Sequence, residues 1–409
     1  MSSARIRDMR AAFRVLRNRK FRFLVIARMI SNFGNGMSPT ALAFAILALP
    51  HGNATTLSIV LTASAIPAVL LLPLGGVAAD RFGRARQIAV VDVLFFVTMS
   101  GVAALFLTGN ATTVNLAALM AIAGALNAMW YPAYPGLPAD LVEPEQLQDA
   151  NSFLSLGVNS TLILGAAAAG LLVENFGGGI ALAIDACTFL LAGAFVWPLR
   201  HTSSRPEETE SIVSELVHGW KVFWSYKWVV VIVLAFTFLI MSQRAFEGVL
   251  GPLVAKQSYG GAVTWAAITG VAAVGNLSAA LVGMRWKPSR PMVAGMLVIL
   301  PDVLWMISMA VQAPLPVILV CAFGWGFGIE LLVIWWFTAL QNHIPKDAIG
   351  RVSAYDALGS TAFAPMGLAI AGPLADRFGP SPVILGAAAV AGVAIVGSQA
   401  SRDVRELRG

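Results

Sequence analysis

The chain has 409 residues, 58% of them apolar and only 12% charged, with 27 basic against 21 acidic side chains for a formal charge of +6. Soluble domains carry roughly 45–50% apolar and about 25% charged residues, so this composition excludes a water-soluble or disordered class and requires a bilayer as solvent. The two cysteines, Cys187 and Cys321, both fall in apolar runs, which excludes a disulfide framework, and no metal or other cofactor is indicated.

Runs of about 20 apolar residues, the length that crosses a 30 Å hydrocarbon core, recur from end to end. They predict twelve membrane helices near 23–49, 57–79, 87–108, 114–137, 150–173, 178–198, 228–250, 262–284, 291–311, 315–338, 351–373 and 380–398. The first run is too long for a signal-peptide core and reads as a retained span. An even count puts both termini on one side of the membrane. Basic residues then set the side. The leader (Arg5 to Arg22), the 2–3 loop, the 6–7 linker, the 8–9 loop, the 10–11 loop and the C-terminal tail hold 23 of the 27. Basic loops stay in the cytoplasm, so the expected protein is a multi-pass one of the inner cell membrane with cytoplasmic termini. The positive charge is thereby used on topology and lipid, with no nucleic-acid partner. The 4–5 loop departs from the pattern with Asp140, Glu143, Glu145 and Asp149. Asn53 and Asn110 each open an Asn-Ala-Thr acceptor triplet in an outside loop, where they read as turn residues.

Segment 199–227 begins polar and then spaces Ile212, Leu216, Trp220, Phe223 and Trp224 as one face of a helix. It reads as a cytoplasmic linker with an interfacial helix. It divides the chain into an N-terminal six-helix half (1–198), the linker (199–227) and a C-terminal six-helix half (228–409). The halves are related: residues 156–177 return at 358–379 with nine identities, among them Gly165/Gly367, Gly170/Gly372 and Phe176-Gly177/Phe378-Gly379, and with Glu174 opposite Asp376. Such a repeat is the mark of a transporter whose halves rock about a central path.

The 2–3 loop, Gly75-Gly76-Val77-Ala78-Ala79-Asp80-Arg81-Phe82-Gly83-Arg84-Ala85-Arg86, resembles the signature loop of the major facilitator superfamily. Further stretches are similar to its enterobactin and macrolide exporter branch. These are Pro132-Ala133, Leu137-Pro138 and Leu141-Val142; Asp149-Ala150-Asn151-Ser152; Asp185-Ala186 with Thr188-Phe189; and Leu340-Gln341, Ile344-Pro345 and Gly350-Arg351-Val352. The resemblance covers nearly the whole chain and implies an all-α fold of two pseudo-symmetric six-helix halves. It also implies that the 2–3 loop is a conformational latch, here Gly76, Asp80, Arg81, Gly83, Arg84 and Arg86. Asp80 is an anion at the C-terminal end of its own helix, whose dipole opposes it, so it calls for a cation or another helix's N-terminus, and Arg351 at the start of the eleventh span is the candidate partner. Gly76 is expected to allow close packing of a helix end and Gly83 a tight reversal. The corresponding 8–9 loop has lost its acid. Three features depart from drug-exporting relatives: the fourth span has no arginine, Gly165 is followed by Ala166 where relatives have proline, and the first span carries Gly34-Asn35-Gly36 where they often have an acid.

Charges inside spans cost about 2.5–3.5 kcal/mol or more at the bilayer centre, so they face the bundle interior. Arg28 lies in the first span, Asp92 and Asp356 nearer cytoplasmic ends, and Asp302 in the ninth. Glu247, Glu330 and Asp185 are the candidate proton carriers, with Arg244 three residues from Glu247 and expected to pair with it. Polar and aromatic residues at mid-depth, Asn32, Asn35, Asn127, Trp130, Tyr131, Gln243, Asn276 and Trp325, are the candidate substrate cavity. Trp335 and Trp336 fit a membrane-interface belt or helix packing. No Walker A sequence, HExxH site or G-x-S-x-G elbow occurs, which argues against an ATP-driven pump and against an enzyme. The expected function is proton-coupled export of a small amphipathic molecule by a monomer using alternating access. Import, or a non-transporting membrane sensor on the same fold, are the alternatives.

Overall fold

The computed structural model describes residues 15–143, 146–201, 220–283 and 286–408, and outside these and a few side chains, among them those of Asp80 and Arg351, nothing is described. The described chain is helical throughout. In the first part run α1 (Arg19–Leu47), α2 (Ala54–Leu70), α3 (Leu72–Phe82), α4 (Arg84–Leu107), α5 (Thr113–Ala133), α6 (Leu147–Phe176) and α7 (Gly178–Val196). Then follow α8 (Lys227–Ala245), a π-turn (Phe246–Leu250), α9 (Gly251–Ser258), α10 (Ala262–Gly283), α11 (Pro291–Val298), α12 (Leu300–Ala310), α13 (Leu315–His343), α14 (Lys346–Thr361), α15 (Ala364–Phe378), α16 (Pro380–Ser398) and the short α17 (Arg402–Glu406). Every expected span falls on one of these helices or on a broken pair. Among the described residues ten segments are long and apolar enough to cross a membrane, and the bent α2–α3 pair makes an eleventh. The 29-residue α1 is long enough but more polar, because it carries Arg28, Asn32, Asn35 and Ser38.

Where spans break, proline is the cause, since it lacks the N–H that its turn requires and crowds the preceding carbonyl. Pro67 and Pro73 flank the 51° bend at Leu71. Pro301 follows the break at Ile299, and Pro365 follows the break before α15. The π-turn lies just before Pro252, which leaves Gly248 without its usual i+4 partner, and the Gly251 N–H bonds back to the Phe246 carbonyl instead.

The chain divides into two compact units, residues 1–45 with 63–207 and residues 46–62 with 208–409. The first has a core around Phe21, Leu24, Leu137, Leu154 and Leu199. The second is built on Val229, Met292, Leu331, Trp335 and Val352. Trp335 and Trp336 are buried at 4% and 8% exposure, donating to the Trp286 carbonyl and to Asp356, so they serve packing and not an interface belt.

Glycines show that the two units share one internal plan. A Cβ on Gly165 of α6 would run into the Phe33 carbonyl of α1, and one on Gly367 of α15 into the Met241 carbonyl of α8. Likewise Gly124 of α5 abuts the Ser64 carbonyl of α2, and Gly326 of α13 abuts the Ala272 carbonyl of α10. In both pairs the glycines are 202 positions apart (367 − 165, 326 − 124) and the carbonyls 208 apart (241 − 33, 272 − 64). Without hydrophobic drive between helices in lipid, such close backbone approach supplies the packing energy. The repeat visible at 156–177 therefore extends to a helix pair whose spans show little other likeness.

Candidate functional site

In the first unit, α1, α2, α4, α5 and α7 surround a cavity of about 340 Å³. It is lined by Arg28, Asn32, Asn35 and Ser38 of α1, by Asn127, Trp130 and Tyr131 of α5, and by Asp185 of α7. Five of the eight cavity candidates thus meet at one place. Asn32 uses its amide on the Arg28 carbonyl (2.8 Å), while Asn35, Asn127 and Tyr131 remain exposed.

Arg28 was noted in the sequence only as a charge within a span, and here it is central. Its guanidinium carbon stands 4.5 Å from the Trp130 ring centre and 4.0 Å from that of Tyr134. The two rings are stacked at 5.4 Å, Trp130 in the last turn of α5 and Tyr134 directly after it. A planar cation over two aromatic faces keeps part of the attraction that it loses with water. Trp130 in turn donates its indole N–H to Asp92 of α4 at 3.0 Å, and Asp92 is close enough to offset the Arg28 charge. The cavity's cation thus comes from the first span, and the fourth span has none. A lone arginine seven residues before the glycine-flanked Asn35 had no local signal for this; only its cost inside an apolar run marked it.

Asp185 is fully buried at the far wall, and neither carboxylate oxygen has a hydrogen bond of good geometry among the described residues, although Ser38 is beside it. Space for it comes from Gly34, where a Cβ would collide with Asp185 Oδ1 and Thr188 Oγ1. Gly34 therefore makes room for an acid from α7.

The second unit holds the other candidates. Glu247 sits in the π-turn, a conformation that recurs at functional positions in membrane and soluble helices alike. Arg244 is within electrostatic reach, and Gln243 and Trp325 border the carboxyl. The expected Arg244–Glu247 ion pair is not formed: among the described residues no contact within 4.0 Å joins them, and Arg244 is exposed. The π-turn begins between them and carries Glu247 off the face that i, i+3 spacing in a regular helix would share. Asp302, fully buried, shares the neighbourhood of Glu247, and both of its oxygens are without hydrogen bonds among the described residues. Asn276 packs at the Gly326 crossing and Glu330 is half-buried on α13, so neither belongs to the first-unit cavity.

At the 2–3 loop, Gly83 takes φ 86° and ψ 131°, which permits the reversal from α3 into α4. The close-packing glycine is Gly75, not Gly76. A Cβ on Gly75 would strike the Ala128 carbonyl of α5, whereas nothing lies within 4 Å of Gly76, because Gly75 occupies the face of α3 turned toward α5. Arg84 pairs with Asp140 at 3.2 Å, which gives the acidic 4–5 loop a role as counter-charge. Arg81 lies over Phe82, with 5.8 Å to the ring centre, and Arg86 is exposed. The side chains of Asp80 and Arg351 lie outside the described residues, as do Ile212 and Leu216 of the expected interfacial helix. The described end of that segment packs Trp220 and Phe223 on Tyr355. Asn53 accepts from the Thr56 N–H at 2.8 Å as a helix cap, in line with its reading as a turn residue.

Residues 24–367 match the family described as Major Facilitator Superfamily. The chain belongs to that superfamily. The multidrug efflux pump Tap of Mycolicibacterium fortuitum is 29% identical to this facilitator over 378 residues, 87% of this chain and 89% of the relative. Tap of Mycobacterium tuberculosis (strain ATCC 25618 / H37Rv) is 28% identical over 383 residues, 88% of each. Among solved structures, the nucleoside transporter NupG superposes with a TM-score of 0.74 at 14% identity, covering 93% of this chain and 98% of its own, a likeness of fold. This facilitator is a multi-pass membrane transporter.

Proposed function

We propose that this facilitator exports a small amphipathic molecule across the inner cell membrane by alternating access, driven by the proton gradient. The observation that carries the export reading is the near full-length likeness to proteins named as multidrug efflux pumps. The first-unit cavity supports it, since it offers polar asparagines beside aromatic and aliphatic walls and could take a ligand of mixed character. Its lining is proposed to contact the substrate, and, within the second unit, Gln243, Asn276 and Trp325 are proposed as that unit's own contacts. Asp185, Glu247 and Glu330 are the proposed proton carriers, with Arg244 as modulator. A buried carboxyl without hydrogen bonds is costly as an anion, so Asp185 is suited to exchange its proton when water or ligand enters. Asp80, Arg81, Gly83, Arg84, Arg86 and Arg351 are the proposed inner latch, with Gly75 in place of Gly76 as the glycine that packs α3 on α5. The working unit is a monomer in lipid with both termini in the cytoplasm, and it carries out no covalent chemistry.

The test is flux in proteoliposomes under an imposed proton gradient, across a panel of amphipathic cations, anions and zwitterions. Gradient-driven accumulation that collapses with a protonophore is expected. Flux indifferent to the gradient would sink the coupling, and uptake only in the opposite direction would sink export. Within that assay, Asp185→Asn is expected to abolish accumulation while passive exchange persists.

A further inference from the structure

The pentapeptide Ala79-Asp80-Arg81-Phe82-Gly83 recurs, identical, as Ala375-Asp376-Arg377-Phe378-Gly379. Both copies close a helix on a glycine of positive φ, 86° at Gly83 and 82° at Gly379. An acid at the C-terminal end of its own helix opposes that dipole and is stabilised by the N-terminus of another helix. Asp376 has found one. Its Oδ2 accepts from the Thr55 N–H at 2.9 Å and its Oδ1 from the Ala54 N–H at 3.3 Å, the first two donors of α2. Asn53 takes the next two, with its side chain on the Thr56 N–H and its carbonyl on the Leu57 N–H. Three of the donors that a helix start leaves open, on Ala54, Thr55 and Thr56, are therefore occupied, two of them by a residue more than 300 positions away, and the Leu57 N–H makes the first bond within the helix.

The same stretch is held at two more points. Ser58 Oγ donates to the Leu368 carbonyl at 2.6 Å and accepts from the Gly372 N–H at 2.7 Å, the two ends of one rung of α15. Gly372 must be glycine there, since a Cβ would fall on the Ala54 carbonyl and Ser58 Oγ. The Lys256 ammonium donates to the Leu47 carbonyl at the end of α1. Asp376 and Lys256 are exposed, so on release each charge passes to water instead of being stranded.

We propose that Asp376, Ser58 and Lys256 form a releasable outer clasp on segment 46–62, closed in the conformation described here and opened when the transporter turns outward. The inference rests on the alternating-access reading above. The test uses the full chain with Cys187 and Cys321 replaced by serine, in nanodiscs, spin-labelled at His51→Cys and Gln257→Cys, two exposed positions flanking the clasp. Distances are measured by double electron–electron resonance. Asp376→Ala is expected to raise the ratio of the long- to the short-distance population about five- to tenfold, the size of losing a charged helix cap. Ser58→Ala should move it the same way, and Asp376→Asn, which keeps an acceptor, by less. Glu174→Ala, at the position of the 156–177 repeat that matches Asp376, is exposed and should leave it unchanged. A wild-type distribution in both Asp376→Ala and Ser58→Ala overturns the clasp, and so does an equal shift in Glu174→Ala. If Asp376→Ala fails to insert, Asp376→Asn decides alone: a raised ratio supports the clasp and an unchanged one overturns it. Absence of gradient-driven flux in the wild type would sink the transport reading but leave the distance result readable.

Discussion

At the scale of single residues, the buried charges are organised by aromatic neighbours and glycines more than by ion pairs. Arg28 rests on Trp130 and Tyr134, and Trp130 spends its N–H on Asp92. Trp130→Phe keeps a ring under the guanidinium but leaves a buried carboxylate oxygen without its donor, which costs about 1–3 kcal/mol. The expected result is a lowered melting temperature in detergent with the fold retained; an unchanged melting curve would show that Asp92 is already satisfied elsewhere. Arg28→Lys should also destabilise, because a compact ammonium cannot lie flat on two rings. At Gly34, alanine would displace Asp185 or Thr188, so loss of coupled transport with normal insertion is expected.

At the scale of helices, the structural determinant is where a glycine lets one backbone touch another. Gly165→Ala and Gly367→Ala each place a methyl group against a carbonyl that cannot swing away, and should destabilise by about 1–3 kcal/mol, in parallel, as in other overpacked contacts. Gly386→Ala and Gly397→Ala face open space on α16 and should be neutral or gain about 0.5–1 kcal/mol from helix propensity. Thermal unfolding of the four variants in one detergent checks the contrast. Equal behaviour of all four would mean that these crossings carry no stability. The π-turn at Phe246–Leu250 is the other element-level feature: it moves Glu247 away from Arg244 and toward the surroundings of Asp302.

At the scale of the whole molecule, the proposed orientation makes a direct prediction. A cysteine at Asn110 should react with an impermeant reagent in intact cells, and one at Arg408 only after permeabilisation. The reverse pattern would invert every statement about outer and inner ends. Asp80→Asn should leave insertion intact but slow transport severalfold through the inner latch, and wild-type rates at equal expression would remove that role.

Membrane class, the run of apolar helices, the repeat and the superfamily were legible in the sequence, because each depends on composition or on patterns local in the chain. A run of 20 apolar residues has one stable destination, and a repeated Gly-rich helix keeps its spacing whatever surrounds it. The pairing of side chains was not legible in the same way. Gly75 and Gly76 are indistinguishable until α5 lies beside one of them, and Arg244 and Glu247 look like partners until a π-turn separates them. The cavity's charge came from Arg28 of the first span, not from the fourth, and the duplicated Asp-Arg-Phe-Gly became meaningful only when Asp376 reached the start of α2. Apart from the π-turn, the deciding contact joins residues far apart in sequence, and its energy depends on ångström-scale distances that no one-dimensional pattern carries.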